Sequence, residues 1–395
     1  MDAYEYYKQI FADLPKPLAY VDLDMLDANA AAIAAAAGSK KVRIASKSIR
    51  CVDTMRRLLQ ASDVFQGIMC YTASEAAFLA RQGFDDLLLG YPQWHSAALL
   101  ELLEFVREGR SIVFMVDCEE HAIQLERLAK DRQVVVPLCI DMDMSADYPG
   151  LHFGVWRSPL RSWEQMKPLV QRISESSWLK LDGMMGYEAQ VAGVGDNVPG
   201  KRFKNASIKW LKKRSIAESA RRRKEAAQGI SAMGISLRFV NAGGTGSMDS
   251  SREEACVTEI TAGSGFYAPG LFDLYSSFRY KPAAGFAVEV VRRPKADIVT
   301  CMGGGYTASG SPGPEKEAKP YLPEGLALFK LEGAGEVQTP LRVPSGLKLE
   351  LGDPVFFRHA KAGELCERFE ILYAVSQGKI VGEYKTYRGM GECFL

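Results

Sequence analysis

Residues 41–90 read KVRIASKSIRCVDTMRRLLQASDVFQGIMCYTASEAAFLARQGFDDLLLG. Val42–Ser46, Phe65–Cys70 and Asp86–Gly90 are short runs rich in branched and apolar side chains, the composition of strands. Between the last two, Ala73–Gln82 repeats its apolar residues three and four apart, the spacing of one helix face. Outward from this stretch the alternation continues. Ile112–Val116, Val134–Asp141, Leu179–Gly186, Leu237–Asn241 and Val257–Ala262 are five further candidate strands, and Glu119–Lys130 is another helix-spaced segment. Both helical segments carry an acidic or hydroxyl residue near the start, which suits a helix N-terminus. Strands alternating with helices imply parallel strands joined by right-handed crossovers. Eight such units predict an α/β fold closed as a (β/α)8 barrel of the TIM type, over residues 25–275.

After about residue 275 the pattern changes. Phe286–Val291, Asp297–Cys301, Leu326–Leu331 and Lys379–Tyr384 read as strands separated by Gly/Pro clusters, with no strong helix between them. GSPGPEKEAKPYLPEG, residues 310–325, reads as a long turn-rich loop. The expectation is an all-β domain over 276–395. Leu18–Leu23 (LAYVDL) has no place in the count of eight, so residues 1–24 are assigned to this second domain as the source of an extra strand.

Composition narrows the function classes. The 395 residues suffice for one large and one smaller domain. Lys and Arg total 49 against 48 for Asp and Glu, which gives no electrostatic footprint for nucleic acid or an anionic membrane. The start MDAYEYYKQI lacks a basic n-region followed by an apolar run, and no apolar stretch nears ~18 residues. A soluble, cytoplasmic chain is expected. Eight scattered cysteines contain no CxxC pair, which argues against a zinc framework or a disulfide scaffold. The four histidines leave little room for a mechanism needing several imidazoles. The basic stretch 201–224, with KWLKKR and RRRK, reads as a solvated helix face; a patch steering an anionic substrate is the sharper alternative.

The chemistry is read from the strand ends. Lys47 ends the first candidate strand, and barrel active sites sit at the C-terminal ends of strands. Shielded from water there, its ammonium form is disfavoured, as a Schiff-base lysine requires. Two glycine-rich turns follow the seventh and eighth strands: Asn241-Ala-Gly243-Gly244-Thr245-Gly-Ser247 and Ala262-Gly263-Ser264-Gly265. Glycines let backbone N–H groups crowd around an anion, and these are the loops where barrels commonly hold phosphate. An ordinary strand-end lysine and simple glycine turns are the plainer alternatives. A lysine and a phosphate cradle facing one cavity suit pyridoxal phosphate, which carries both an aldehyde and a phosphate. Tyr187 and Gln190 follow the sixth strand. Arg157 follows the fifth, where an arginine near the pyridine nitrogen would weaken the electron sink. His359 lies in the β domain near Lys361, Glu364 and Cys366.

PLAYVDLDML, the Lys47 strand, GYEAQ, NAGGTGS, EITAGSGFY and the late histidine, in this order and over most of the chain, resemble the fold-type III pyridoxal-phosphate enzymes. The D-threonine aldolase/D-serine dehydratase-like branch is the closer match. The resemblance implies an alanine racemase-like fold, with Lys47 binding the cofactor and Gly244, Thr245, Gly263 and Ser264 holding its phosphate. It also implies a homodimer with each active site near the interface. Two departures stand out. Metal-dependent members read His-x-Cys or His-x-Asp where this chain has His359-Ala-Lys361, and a charged lysine cannot be a ligand. The reading favours loss of the divalent metal, with Lys361 in place of its charge; Cys366 or Glu364 replacing the second ligand is the other option. The branch also reads Tyr-x-Gly-His where this chain has Tyr187-Glu-Ala-Gln190, so its usual base is absent. The expected function is a pyridoxal-phosphate lyase cleaving or forming the Cα–Cβ bond of a β-hydroxy amino acid, with amino acid and aldehyde substrates. Lys47, Tyr187, Gln190, His359 and Lys361 are its catalytic candidates. The alternatives are a D-serine or β-hydroxy amino acid dehydratase, then a racemase, a non-catalytic cofactor-binding protein, or a barrel for another phosphate compound.

Overall fold

The computed structural model describes residues 1–311, 313–361 and 363–395. Eight parallel strands close into a barrel. They are β1 Lys41–Ala45, β2 Phe65–Cys70, β3 Leu87–Leu89, β4 Ile112–Val116, β5 Val136–Asp141, β6 Leu179–Gly186, β7 Phe239–Ala242 and β8 Glu259–Ala262. The seam between β8 and β1 pairs Ile260 with Val42 and Ala262 with Ile44. Several strand ends differ from the sequence reading by one or two residues. Ladder hydrogen bonding stops where the barrel stops, while apolar composition runs on into the connecting turns.

The barrel interior is filled by Leu88, Val113, Met115, Cys139, Met185 and Phe239. Among them lies Arg43, wholly buried, whose Nε and Nη2 donate to the two carboxylate oxygens of Glu259 at 2.8 and 2.9 Å. Two parallel charge-assisted bonds satisfy both buried ions at once.

The basic stretch forms part of a long helix, Arg202–Ala232, and does not present a uniformly solvated face. Lys212, Arg222 and Arg223 are buried. Arg222 donates to the carbonyl oxygens of Asp143, Met144 and Ser145. Arg223 bridges Glu188 and Glu254. These side chains brace the loops after β5 and β6 from behind.

The second domain is a nine-stranded sheet. Leu18–Asp22 lies inside it, antiparallel to Ala284–Lys295 and parallel to Ile371–Ser376. Tyr7, Phe11, Tyr20 and Phe356 pack the N-terminal helix Ala3–Ile10 onto this sheet. Within the stretch read as a loop, Lys319–Leu322 is a strand paired with Pro354–Arg358; Pro312 lies outside the described residues. Leu326–Leu331 narrows to Ala327–Leu328. Gln338–Arg342, Pro354–Arg358 and Ile371–Ser376 escaped the sequence reading. The first two contain prolines and mixed polarity, which disguise strands. All eight cysteines are free. Among the described residues no helix is long and apolar enough to cross a membrane.

Candidate active site

β1 ends at Ala45, and Ser46–Ser48 form one 3-10 turn, so Lys47 sits just past the strand. Ser46 and Ser48 are buried while Lys47 is exposed. The shielding expected from the sequence is therefore not supplied within one chain. The turn itself is firmly held. Ser46 Oγ donates to Met69 O at 2.9 Å. Arg50, in the left-handed region at φ 50°, donates from Nε to Lys47 O at 3.0 Å and from Nη1 to Glu367 at 2.6 Å. Cys366 Sγ donates to Ile49 O at 3.2 Å and Tyr387 N to Arg50 O at 3.0 Å. A strained non-glycine residue costs about 1–3 kcal/mol and persists only where its surroundings fix it. Here the fixing partners Glu367, Cys366 and Tyr387 all come from the last thirty or so residues of the chain.

From Lys47 a path of contacts runs round the barrel mouth. Lys47 Nζ donates to Tyr91 Oη at 3.2 Å. Tyr91 follows β3, and the Arg157 guanidinium stands 5.2 Å from its ring centre. Arg157 donates from Nε to Asp141 Oδ2 at 3.2 Å and from Nη2 to Gly90 O at 3.3 Å. The same guanidinium is 5.6 Å from the Tyr187 ring. Tyr187 in turn packs on Gly244, where a Cβ would come within 3.1 Å of the ring. Gly265 N donates to Thr245 Oγ1 at 3.1 Å, joining the turn after β7 to the turn after β8. Ser264 Oγ lies 3.3 Å from Ser48 Oγ, beside Lys47 again.

The electrostatics follow from this crowding. Burial pushes the Asp141 carboxyl up to about 6, against the pull of Arg157. Burial raises the Tyr187 phenol to about 12, with the Glu188 charge adding to it. Tyr91 is 38% exposed; partial desolvation would raise its phenol, but the charges of Lys47 and Arg157 outweigh it and hold that phenol below its ordinary value.

The two turns are braced from below. Glu188 accepts from Ser251 Oγ at 2.6 Å and pairs with Arg223 at 2.7 Å. Gly243 N points at this carboxylate, 3.4 Å away, and Gly244 N donates to Ser247 Oγ at 3.1 Å. A Cβ on Gly263 would lie 2.8 Å from Ser48 Cβ and 2.9 Å from Ala45 Cβ, so only glycine lets this turn meet the Lys47 turn. Asn241 stays out of the mouth: its amide donates to Glu259 and Thr261, both at 2.8 Å, inside the barrel wall.

The remaining candidates separate from this ring. Gln190 is buried, and its amide nitrogen donates to Met144 O at 2.5 Å and Ser215 Oγ at 2.6 Å, away from Lys47. His359 is wholly buried beside Tyr267, with neither ring nitrogen hydrogen-bonded. Burial, then the Arg358 charge, holds its imidazole down at about 3. Cys366 donates to Ile49 O, and Glu364 accepts from Ser309 N at 3.1 Å, so each is committed elsewhere than to His359. Lys361 Nζ donates to Ser309 Oγ at 2.6 Å. Its loop abuts Lys47: a Cβ on Gly363, at φ 84°, would collide with Lys47 O. Ala362, between them, lies outside the described residues.

Asp117, Cys118 and His121 bring three ligand-type atoms within 4.8 Å of one another after β4. They sit at the N-terminal end of helix Glu119–Arg132, whose dipole disfavours a cation. His121 Nδ1 is 3.0 Å from Asp117 Oδ1 and 3.2 Å from Cys118 Sγ, contacts that hydrogen bonding alone accounts for.

Sequence reasoning missed Tyr91, Asp141, Arg50 and Glu188. Tyr91 and Asp141 carried a usable signal, since each stands at the C-terminal end of a candidate strand. Arg50 carried none, because its partner Glu367 is 317 positions away.

A family model described as alanine racemase, N-terminal domain, matches residues 21–269. The 3-hydroxy-D-aspartate aldolase of Paracoccus denitrificans (strain Pd 1222) is 22% identical over 255 residues. That match spans 64% of this chain and 60% of the relative. The structure of D-threonine aldolase from Filomicrobium marinum superposes with a TM-score of 0.80 at 16% identity, covering 96% of this chain and 97% of that one. The D-threo-3-hydroxyaspartate dehydratase of Delftia sp. HT23 superposes with a TM-score of 0.77 at 16% identity, covering 95% and 98%. The two superpositions establish the fold: a barrel with an appended sheet domain.

Proposed function

The chain belongs to the alanine racemase N-terminal domain family, and on that premise we propose that it is a pyridoxal-phosphate-dependent lyase. Its substrates are β-hydroxy amino acids of the D series, and it cleaves or forms their Cα–Cβ bond. The curated aldolase relative supports Cα–Cβ chemistry ahead of dehydration or racemisation.

The donor set fits the cofactor. Among the described residues Lys47 makes no salt bridge to a carboxylate; its amine has a phenol as hydrogen-bond partner, one that can exchange a proton with it. The Ser48 and Ser264 hydroxyls lie 3.3 Å apart and Thr245 Oγ1 accepts from Gly265 N, so hydroxyls and glycine backbone line two adjoining turns, a composition suited to an anion. When bound, pyridoxal phosphate supplies an aldehyde for a primary amine and a ring that draws electron density from Cα. Lys47 Nζ is the amine that holds it. Thr245 and Ser264 with the backbone of Gly263 would hold the phosphate, Gly244 and Gly265 would shape the two turns, their N–H groups donating to Ser247 and Thr245, and Arg157 and Tyr187 would line the wall between. Lys47, once its amine is free, takes or returns the proton at the substrate Cα on its own side of the cavity. Lys361, steadied by Ser309, offers the positive charge that polarises the β-oxygen. Gln190 and His359 have no direct part, the first being tied to Met144 and Ser215, the second sealed and uncharged.

The proposal extends to a homodimer. Lys47 is exposed in one chain, and Trp94 and Trp156, in loops at the same end of the barrel, are 62% and 86% exposed. A second copy covering this mouth would supply the missing shield; sedimentation of the purified protein tests it, and a monomer at working concentration removes this part. A cytoplasmic setting accords with eight free thiols.

One observation carries the reading: the unbroken run of contacts from Lys47 through Tyr91, Arg157 and Tyr187 to both glycine turns and back through Ser48. The test is a panel of D- and L-β-hydroxy amino acids against the cofactor-loaded protein, followed by product analysis. An aldehyde plus a smaller amino acid supports the proposal. A 2-oxo acid with ammonia moves it to dehydration, an inverted substrate moves it to racemisation, and no turnover of any member removes the enzyme assignment.

A further inference from the structure

Tyr91 occupies a position that the proposed chemistry has not yet used. It follows β3 in the sequence Gly90-Tyr91-Pro92, and its hydroxyl is the hydrogen-bond partner of the Lys47 amine at 3.2 Å. Its backbone is fixed as well, since Gly90 O accepts from Arg157 Nη2 at 3.3 Å. The groups facing the phenol come from three other parts of the barrel. Lys47 lies after β1, Arg157 after β5 with its partner Asp141 at the end of β5, and Tyr187 after β6. Two are cations; the carboxylate is already tied to Arg157. Two cations against one compensated anion favour a phenolate, and the phenol of this 38% exposed residue is held below its ordinary value accordingly.

Taking Lys47 as the amine that carries the cofactor, a reading on which this step rests, we propose that Tyr91 is the proton carrier for Lys47. The Tyr91 phenolate oxygen takes a proton from the Lys47 ammonium. One N–H bond breaks, one O–H bond forms, and the charges on both groups are neutralised. The amine is left with a free electron pair to attack a carbonyl carbon. The reverse transfer returns the proton when Lys47 must leave again. The 3.2 Å separation needs no movement of either residue and no intervening water.

The test is the rate of pyridoxal-phosphate uptake by the full chain after the cofactor has been stripped, followed by absorbance as a function of pH. Tyr91→Phe keeps the ring and removes the oxygen. General acid–base assistance is typically worth about 10²-fold or more, so uptake at neutral pH should slow by roughly that factor. The gap should narrow as pH rises, where hydroxide in solution takes the proton in place of the missing oxygen. Tyr91→His, which restores an acceptor at the same place, should recover part of the neutral-pH rate. An uptake profile for Tyr91→Phe that superimposes on the unaltered protein overturns the proposal. So does an equal slowing at every pH, which marks a merely structural role. An independent readout is the ultraviolet absorbance of the phenolate, assigned by difference against Tyr91→Phe. Lys47→Met should raise the pH at which Tyr91 ionises, and an unmoved midpoint overturns the coupling. Failure of the underlying reading looks different: Lys47→Ala would then take up the cofactor and develop its visible colour like the unaltered protein.

Discussion

Gly263→Ala tests whether the turn after β8 and the Lys47 turn are a single device. The new Cβ would stand 2.8 Å from both Ser48 Cβ and Ser48 Oγ and 2.9 Å from Ala45 Cβ. Ordinary carbon contacts lie at about 3.5–4.0 Å, so the two turns must part by roughly 0.6–1.2 Å. None of the three atoms belongs to a long flexible side chain that swings clear. Ala45 precedes the 3-10 turn and Ser48 ends it, and Arg50, Cys366 and Tyr387 clamp that turn from the other side. Overpacking of this kind costs about 1–3 kcal/mol. If the strain is released by separating the turns, it appears as weakened cofactor binding, about 5- to 150-fold at 1.4 kcal/mol per decade. The Ser48–Ser264 hydroxyl contact is lost with it. The assay is titration of the stripped protein with pyridoxal phosphate, read at the visible band, beside thermal unfolding of the same samples. Adding Ser48→Gly removes two of the three colliding atoms and should recover part of the affinity. Unchanged affinity in Gly263→Ala would refute the claim that the two turns share one cavity.

Three further outcomes follow from the same structure. His359 is buried uncharged with its imidazole at about 3, against about 6.5 in an unfolded chain, so it contributes stability above pH ~6.5 that is lost as pH falls toward 3. Chemical unfolding of His359→Leu should therefore lose less stability than the unaltered protein between pH 7 and pH 4, by up to about 3 kcal/mol, and equal slopes contradict this. Gln190→Ala should cost about 1–3 kcal/mol of stability while leaving the visible absorbance of the bound cofactor intact; a lost or shifted band would show that the amide reaches the cofactor. Arg223→Met strands two carboxylates, Glu188 and Glu254, and should cost about 3–5 kcal/mol. A variant that unfolds at the unaltered denaturant midpoint would show that this buried bridge is not a strut.

Much of the barrel was legible because its strands are nearly continuous apolar runs, as both-faces-buried parallel strands must be. That Lys47 and the turns at 243–247 and 263–265 meet at one end of the barrel was legible for a related reason: all three follow strand C-termini, and glycine marks close backbone approach. What stayed hidden depends on pairings between distant positions. Arg222 and Arg223 look like a charge run on a helix surface until Met144, Glu188 and Glu254 come to meet them. Gln190 follows the correct strand, but the chain begins a short helix at Ala189, which turns the side chain inward toward Ser215. Arg50 has an ordinary sequence context, and its left-handed backbone is explained only by Glu367 and Tyr387. In the sheet domain, Pro340 and Pro354 masked strands whose partners supply the pairing that proline weakens.

The most direct measurement is where the cofactor attaches. Purified protein is loaded with pyridoxal phosphate, reduced with borohydride, digested, and its peptides are mapped by mass. The expected result is a single stable phosphopyridoxyl mark on Lys47, with none on Lys361. A mark on any other lysine, or a protein that binds the cofactor without a reducible bond, would contradict it.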